Sequence, residues 1–289
     1  MTLFLKFAVF FVGYLVVQFL HPENAFAWGP GVHTAIALGS LDAAFQLLPS
    51  IGRTITAFPI EYLYGSLSAD FFIGKGKKKR SGAPHNWEGG FKFLSDASDD
   101  REMSYALGFL SHLAADVIAH NYFIPNLTSA YPGKGKMGHL FWEIRSDYLI
   151  GTGYTSIANG VLNMDHQVCD DLLKLLGGKK RNRLKTKKRF FTQTVKFSDY
   201  LYTTRNLFFE TRSTRGRVFH EYLAVMVDLS RRLVYDFLKH PQSTPCLHYD
   251  HMGAKNLLMA KGKRSFPPRI FKTATTSPHF EVDEKLLYL

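Results

Sequence analysis

Residues 105–124, YALGFLSHLAADVIAHNYFI, carry the strongest chemical pattern in the chain, with His112, Asp116 and His120 at i, i+4 and i+8. A helix advances about 100° per residue, so the three share one stripe within roughly 80° of arc. The residues between them are Leu, Ala, Val and Ile, which predicts a helix over 101–124 that is buried on most sides. Ionisable groups on a buried stripe are costly unless something offsets their desolvation. A divalent metal ion does so, and two imidazoles with a carboxylate are zinc-type ligands. The competing reading, a surface helix whose His and Asp face water, fits the apolar flanks poorly.

Moving outward, a Gly-rich loop at 131–138 leads into HLFWEIRSD at 139–147, where His139 and Glu143 lie one helical turn apart. HxxxE is a common two-ligand arrangement for zinc. Alone it is weak, because such pairs also simply hydrogen-bond on surfaces. Asp147 continues the stripe, as a partner for His139 or as a surface acid. On the upstream side, WGPGVH at 28–33 makes a turn through its glycines and Pro30, and His33 then enters a helix expected over 34–48. In EYLYGSLSADFF at 61–72, read as helix followed by turn, Asp70 sits between apolar neighbours and needs a partner. The run KGKKKR at 75–80 reads as a solvated loop, and PHNW at 84–87 sets His85 beside an aromatic residue.

The remainder of the chain bounds these candidates. Its 289 residues are 46% hydrophobic, with 25 Phe and 14 Tyr, enough for a sizeable core in one large or two small domains. A formal charge of +12 favours an anionic partner, such as phosphate esters, phospholipid headgroups or nucleic acid. Residues 1–27 read as a signal peptide: Lys6, a long apolar run, then Ala25-Phe26-Ala27 as a cleavage site. An uncleaved anchor is the alternative, and no other segment is apolar enough to span a bilayer. Helices are expected at 164–176, 198–210 and 218–240, with His220 and Glu221 in packing or on the surface. The basic run at 174–189 reads as a solvated loop or a dock for anionic lipid. Nothing else in the sequence supports a metal role for His248 and His251. Cys169 and Cys246 leave pairing open. With no repeat and no alternating pattern, the fold is expected to be all-α, a single helical domain over 28–260 with an irregular tail at 261–289 that wraps the surface or is disordered.

In chain order the candidates are Trp28, His33, Asp70, His85, His112, Asp116, His120, His139 and Glu143. The Trp directly after the A-x-A site, the HxxxDxxxH helix and the later HxxxE helix together resemble the zinc-dependent phospholipase C family, over about residues 28–150. That family shares a helical fold and a trinuclear site with the single-strand-specific zinc nucleases. The resemblance implies one zinc held by Asp70, His85, His112 and Asp116. It implies a second on the amine and carbonyl of Trp28 with His33 and Asp116, and a third on His120, His139 and Glu143. Asp116 would bridge two ions, and Asp70 would orient the attacking water.

Two features depart from the best-studied secreted phospholipases C. The tight HxxxDxxxH resembles the corresponding domain of the glycosylphosphatidylinositol-specific phospholipase D, and the short WGPGVH interval resembles the nucleases. The expectation is therefore an exported, periplasmic or secreted, zinc-dependent phosphoric-ester hydrolase with up to three Zn2+ ions. It would be a monomer acting on phospholipid, with peripheral membrane contact. A nuclease-like phosphodiesterase on single-stranded nucleic acid and a non-catalytic zinc-stabilised envelope protein are the alternatives.

Overall fold

The computed structural model describes residues 28–72, 85–130, 138–176, 184–204, 214–262 and 279–289. At 138–140, 176, 204, 214–217 and 261–262 it describes the backbone alone. The signal-peptide reading, the 75–80 loop and most of the 131–138 loop fall outside the described residues. The fold is all-α, with no strand among the described residues. No helix among them is long and apolar enough to cross a membrane.

In chain order the helices are α1 (Pro30–Asp42), α2 (Pro49–Ala57), α3 (Pro59–Ser68), α4 (Trp87–Asp96), α5 (Asp100–Ile118), α6 (Ile124–Ala130), α7 (Gly138–Ile150), α8 (Thr152–Leu162), α9 (Gln167–Leu176), α10 (Leu184–Thr204), α11 (Thr214–Lys239), α12 (Ala254–Gly262) and α13 (Glu284–Leu287). A π-helical turn, Ala119–Phe123, joins α5 to α6. The periodicity of the sequence does not single out α2, α4 or α8. The helix expected over 34–48 ends instead at Asp42, with Ala43 as its C-cap, and a 3-10 turn, Ala44–Gln46, leads to Leu48, which is extended before Pro49. The helix expected from 164 begins only at Gln167; His166 before it stacks flat on Tyr64 at 3.6 Å. The basic run at 174–189 is not all loop, since α10 starts at Leu184.

Helix α5 is the axis of the molecule. Asp99 caps it, accepting from the Glu102 amide at 2.8 Å, while the Glu102 carboxylate reaches back to the Ser98 amide at 2.7 Å. This reciprocal cap contributes about 1 kcal/mol. Every residue from 104 to 127 is buried, so the surface-helix reading fails. Helices α3, α4 and α11 pack around α5, and α1 lies against α3, α8 and α11. The crossing of α3 and α5 is unusually close. A Cβ at Gly65 would lie 2.1 Å from the Tyr105 carbonyl oxygen, and one at Gly108 would lie 2.0 Å from that of Tyr62. Tyr62 and Ser68 on α3 bond to Ser111 and Tyr105 on α5 at 2.9 and 2.8 Å, locking the register that brings Asp70 to His112.

The second half wraps this axis. The Trp28 indole is fully buried, donates to Ser230 of α11 at 3.1 Å and packs on Phe123. The described end of the tail is docked: Asn126 of α6 donates to the Phe280 carbonyl and accepts from its amide, both at 2.9 Å, and Leu286 is buried. His220 and Glu221 are exposed on α11. Cys169 and Cys246 are free buried thiols, and burial pushes both up to about 12.

Candidate metal centre

Five segments deliver ligand-type side chains to one region. His33 comes from the first turn of α1, and Asp70 from a 3-10 turn, Ala69–Phe72, that continues α3. His85 lies just before Asn86, whose side chain caps α4 by accepting from the Gly89 amide at 2.7 Å. His112 and Asp116 project from α5, and His120 from the π-turn.

The Nε2 atom of His112 is the hub. It lies 3.2 Å from Asp116 Oδ2, 3.4 Å from Asp70 Oδ1 and 3.2 Å from His85 Nε2. His33 Nε2 is 3.5 Å from Asp116 Oδ1, and His120 Nε2 is 3.8 Å from Asp116 Oδ2. The His33 and His112 rings stack at 3.9 Å. Two groups, His33–Asp70–His112 and His85–His112–Asp116, could each hold a metal ion. Zinc–nitrogen bonds of 2.0–2.1 Å in a tetrahedron put neighbouring donors roughly 3.3 Å apart. The shorter separations match that edge.

Electrostatics point the same way. Burial, and then His112, push His33 down to about 4, although Asp116 opposes this. Burial also lowers His120, and burial with His251 and His112 lowers His85 further, so all three present neutral imidazoles. For His112 burial acts downward, but the Asp116 and Asp70 carboxylates outweigh it and hold it at about 9. Asp116 stays well below the usual carboxylate range despite burial, because His112 and His33 face it. Asp70 and Glu143 are driven well above it by burial, aided for Glu143 by Asp147. One imidazolium is thus too little positive charge for this set of acids. Both nitrogens of His33 and of His120, and Asp116 Oδ1, are buried without a hydrogen-bond partner among the described residues. Orphaned donors of this kind among under-neutralised acids fit divalent cations.

Other expected residues stand differently. Glu143 is buried on α7. His139 is described by its backbone only, one helical turn earlier, so its side chain lies outside the described residues. Trp28 is placed by its indole, and a ligand role for its amine depends on cleavage after Ala27, outside the described residues. Asp147 is not a surface acid. It is buried, and its two oxygens accept from the Gly31 and Val32 amides at 3.0 and 2.9 Å. It therefore caps α1 from a distant helix and anchors His33. Burial raises it to about 7, with the two amides opposing. His251, dismissed on sequence, is buried with its ring 5.1 Å from His85. Only Pro125, which interrupts the helix after His120, hinted that something must pack there.

The family model for zinc dependent phospholipase C matches residues 32–214, more than half of the chain. The chain belongs to the zinc-dependent phospholipase C family. No curated protein and no solved structure matches it. The family match extends beyond the 28–150 span of the sequence resemblance and contains every candidate ligand from His33 to Glu143. Trp28 lies just outside it at one end, and His251 well outside it at the other. As a zinc-dependent phospholipase C domain with candidate His/Asp metal clusters, the protein is supported as a zinc phosphoesterase.

Proposed function

We propose that the protein is an exported phospholipase C that cleaves the phosphodiester of glycerophospholipids, using up to three zinc ions. Zinc bound at this site would supply water activation near neutral pH and polarisation of phosphoryl oxygens. The observation that carries the reading is the set of buried nitrogens on His33 and His120 beside Asp116 that find no partner among the described residues, in a chain of this family.

Asp70, His85, His112 and Asp116 would hold one ion. His33 and Asp116, with the Trp28 main chain after removal of residues 1–27, would hold a second, and His120, His139 and Glu143 a third. Asp116 would serve both of the first two ions; His33 faces its Oδ1 and His112 its Oδ2. Asp70, 3.4 Å from His112, would orient an attacking water. The apolar shell of α5 keeps bulk water from the ligands and strengthens every charge interaction inside. A single domain over 28–260, acting as a monomer in peripheral contact with membranes, completes the proposal.

The test uses protein beginning at Trp28. Its bound zinc is counted, and release of phosphocholine from phosphatidylcholine vesicles is measured with zinc and with chelator, beside hydrolysis of single-stranded DNA. Zinc-dependent release of phosphocholine without DNA cleavage supports the phospholipase. DNA cleavage alone would mark a nuclease, and bound zinc with neither activity a structural metal protein. Export is tested by locating the processed chain outside the cytoplasm.

A further inference from the structure

The turn that precedes α12 touches both ends of the ligand set from outside the family-matched span. His251 Nε2 lies 3.1 Å from the His85 carbonyl oxygen. A carbonyl only accepts, so that nitrogen carries the proton and donates. On the other side the same segment meets the π-turn that bears His120. Pro125 has no N–H and cannot bond to the Asn121 carbonyl four residues back. The chain answers with a π-turn, in which the Ile124 amide bonds to the Ala119 carbonyl, and the Asn256 side chain donates to the Asn121 carbonyl at 2.9 Å. The Asn121 side chain donates in return to the Asp250 carbonyl at 2.7 Å. Gly253 is pressed against the same turn at φ +54°, where a Cβ would lie 2.2 Å from the His120 carbonyl oxygen. Asp250 stiffens the segment by accepting from the Met252 and Ala254 amides, both at 3.1 Å.

We propose that residues 250–256 form a clamp that positions two zinc ligands at once, His251 fixing His85 and Asn256 fixing the π-turn beneath His120, and that this clamp sets how tightly the site retains zinc. The proposal rests on the metal reading above. The physical ground is that the carbonyl of His85, and that of Asn121 beside His120, lack a regular helical partner. His85 precedes its helix, and His120 sits where Pro125 breaks the ladder. Each meets a donor from elsewhere, and one short segment supplies both, His251 from the turn before α12 and Asn256 from the first turn of α12. His251 and Asn256 are positioning residues, since they bond to the backbone at or beside the ligands. Groups that support metal ligands in this way typically govern affinity by 10–100-fold.

The experiment compares wild type, His251→Ala, His251→Gln, Asn256→Ala and, as a control, His248→Ala, an exposed histidine three residues earlier. Zinc affinity is read by competition with a chromogenic chelator, and melting temperature is measured with and without zinc. The clamp predicts roughly tenfold weaker zinc binding in His251→Ala and in Asn256→Ala. It also predicts a smaller zinc-induced rise in melting temperature, recovery in His251→Gln, whose amide retains a donor, and no change in His248→Ala. Wild-type zinc affinity in both alanine variants overturns the clamp, even if their metal-free melting temperatures fall, because that is the signature of packing alone. If one alanine variant fails to fold, the other decides. Absence of zinc from the wild type overturns the metal reading itself, a result distinct from failure of the clamp.

Discussion

His33, Asp70, His85, His112, Asp116 and His120 all precede residue 125, whereas Ser230, His251, Asn256 and Phe280 follow residue 214 and offer mostly hydrogen bonds to backbone or indole. The first region supplies donor atoms and the second supplies restraint. Donor atoms cluster on helices whose faces are apolar, so their position follows from α5 and its crossing with α3. Restraint is applied where the first region leaves backbone or ring groups unpaired: the Trp28 indole, the π-turn and the His85 carbonyl. Loss of a donor should therefore abolish the chemistry, and loss of a restraint should weaken metal retention or stability while leaving the donors in place.

The sharpest way to break that division is Asp116→Asn. If Asp116 bridges two ions, turnover should fall by roughly 10³-fold, about 4 kcal/mol of barrier, and bound zinc should drop. Full activity with unchanged zinc content would remove Asp116 from the site. Next in size is Gly108→Ala at the α3–α5 crossing. Forcing a methyl group against the Tyr62 carbonyl should cost about 3 kcal/mol, read as a lower denaturant midpoint, and should disturb Asp70 along with stability. A midpoint equal to wild type would mean that the crossing does not set the site.

The pH dependence follows from His112. Its value in the metal-free fold is about 9 against 6.5 unperturbed, so it binds a proton more tightly folded than unfolded. The stability this confers is fully present below 6.5 and fades as pH rises through about 9. A zinc ion must displace that proton, so apparent zinc affinity should rise by up to about tenfold per pH unit towards pH 9. Calorimetry in buffers of different ionisation enthalpy reads the released proton; zinc binding with no proton release would contradict the His112–Asp116 pairing.

Two smaller effects sharpen the distinction between restraints. Asp147→Ala removes the remote cap of α1 and should cost about 1–2 kcal/mol, together with some loss of zinc through His33. Asn126→Ala removes the bonds to Phe280 and should cost about 1 kcal/mol with zinc affinity unchanged, because that restraint holds the tail rather than a ligand. Thermal melts with and without zinc separate the two, and an equal effect on zinc in both would erase the distinction.

The all-α class and the shared stripe of His112, Asp116 and His120 were legible because helical spacing is a local property. His112, Asp116 and His120 lie on one face for any chain that makes a helix there, and the apolar residues between them require burial. The family membership was legible in the same motifs, since spacing and residue type survive without knowledge of the fold. Three things were decided only by tertiary structure. Asp147 continues a helical stripe in sequence, yet it caps the amides of α1, 115 and 116 residues away in the chain. Pro125 announces a broken ladder, but not that Asn256 repairs it. His251 lies in a short segment with no periodicity, and its place beside His85 comes from the path of the chain after α11. The physical reason is the same in each case. A side chain's covalent neighbours fix the direction in which it leaves its own element, while an unpaired backbone group elsewhere determines what it meets, and that pairing exists only once the helices have packed.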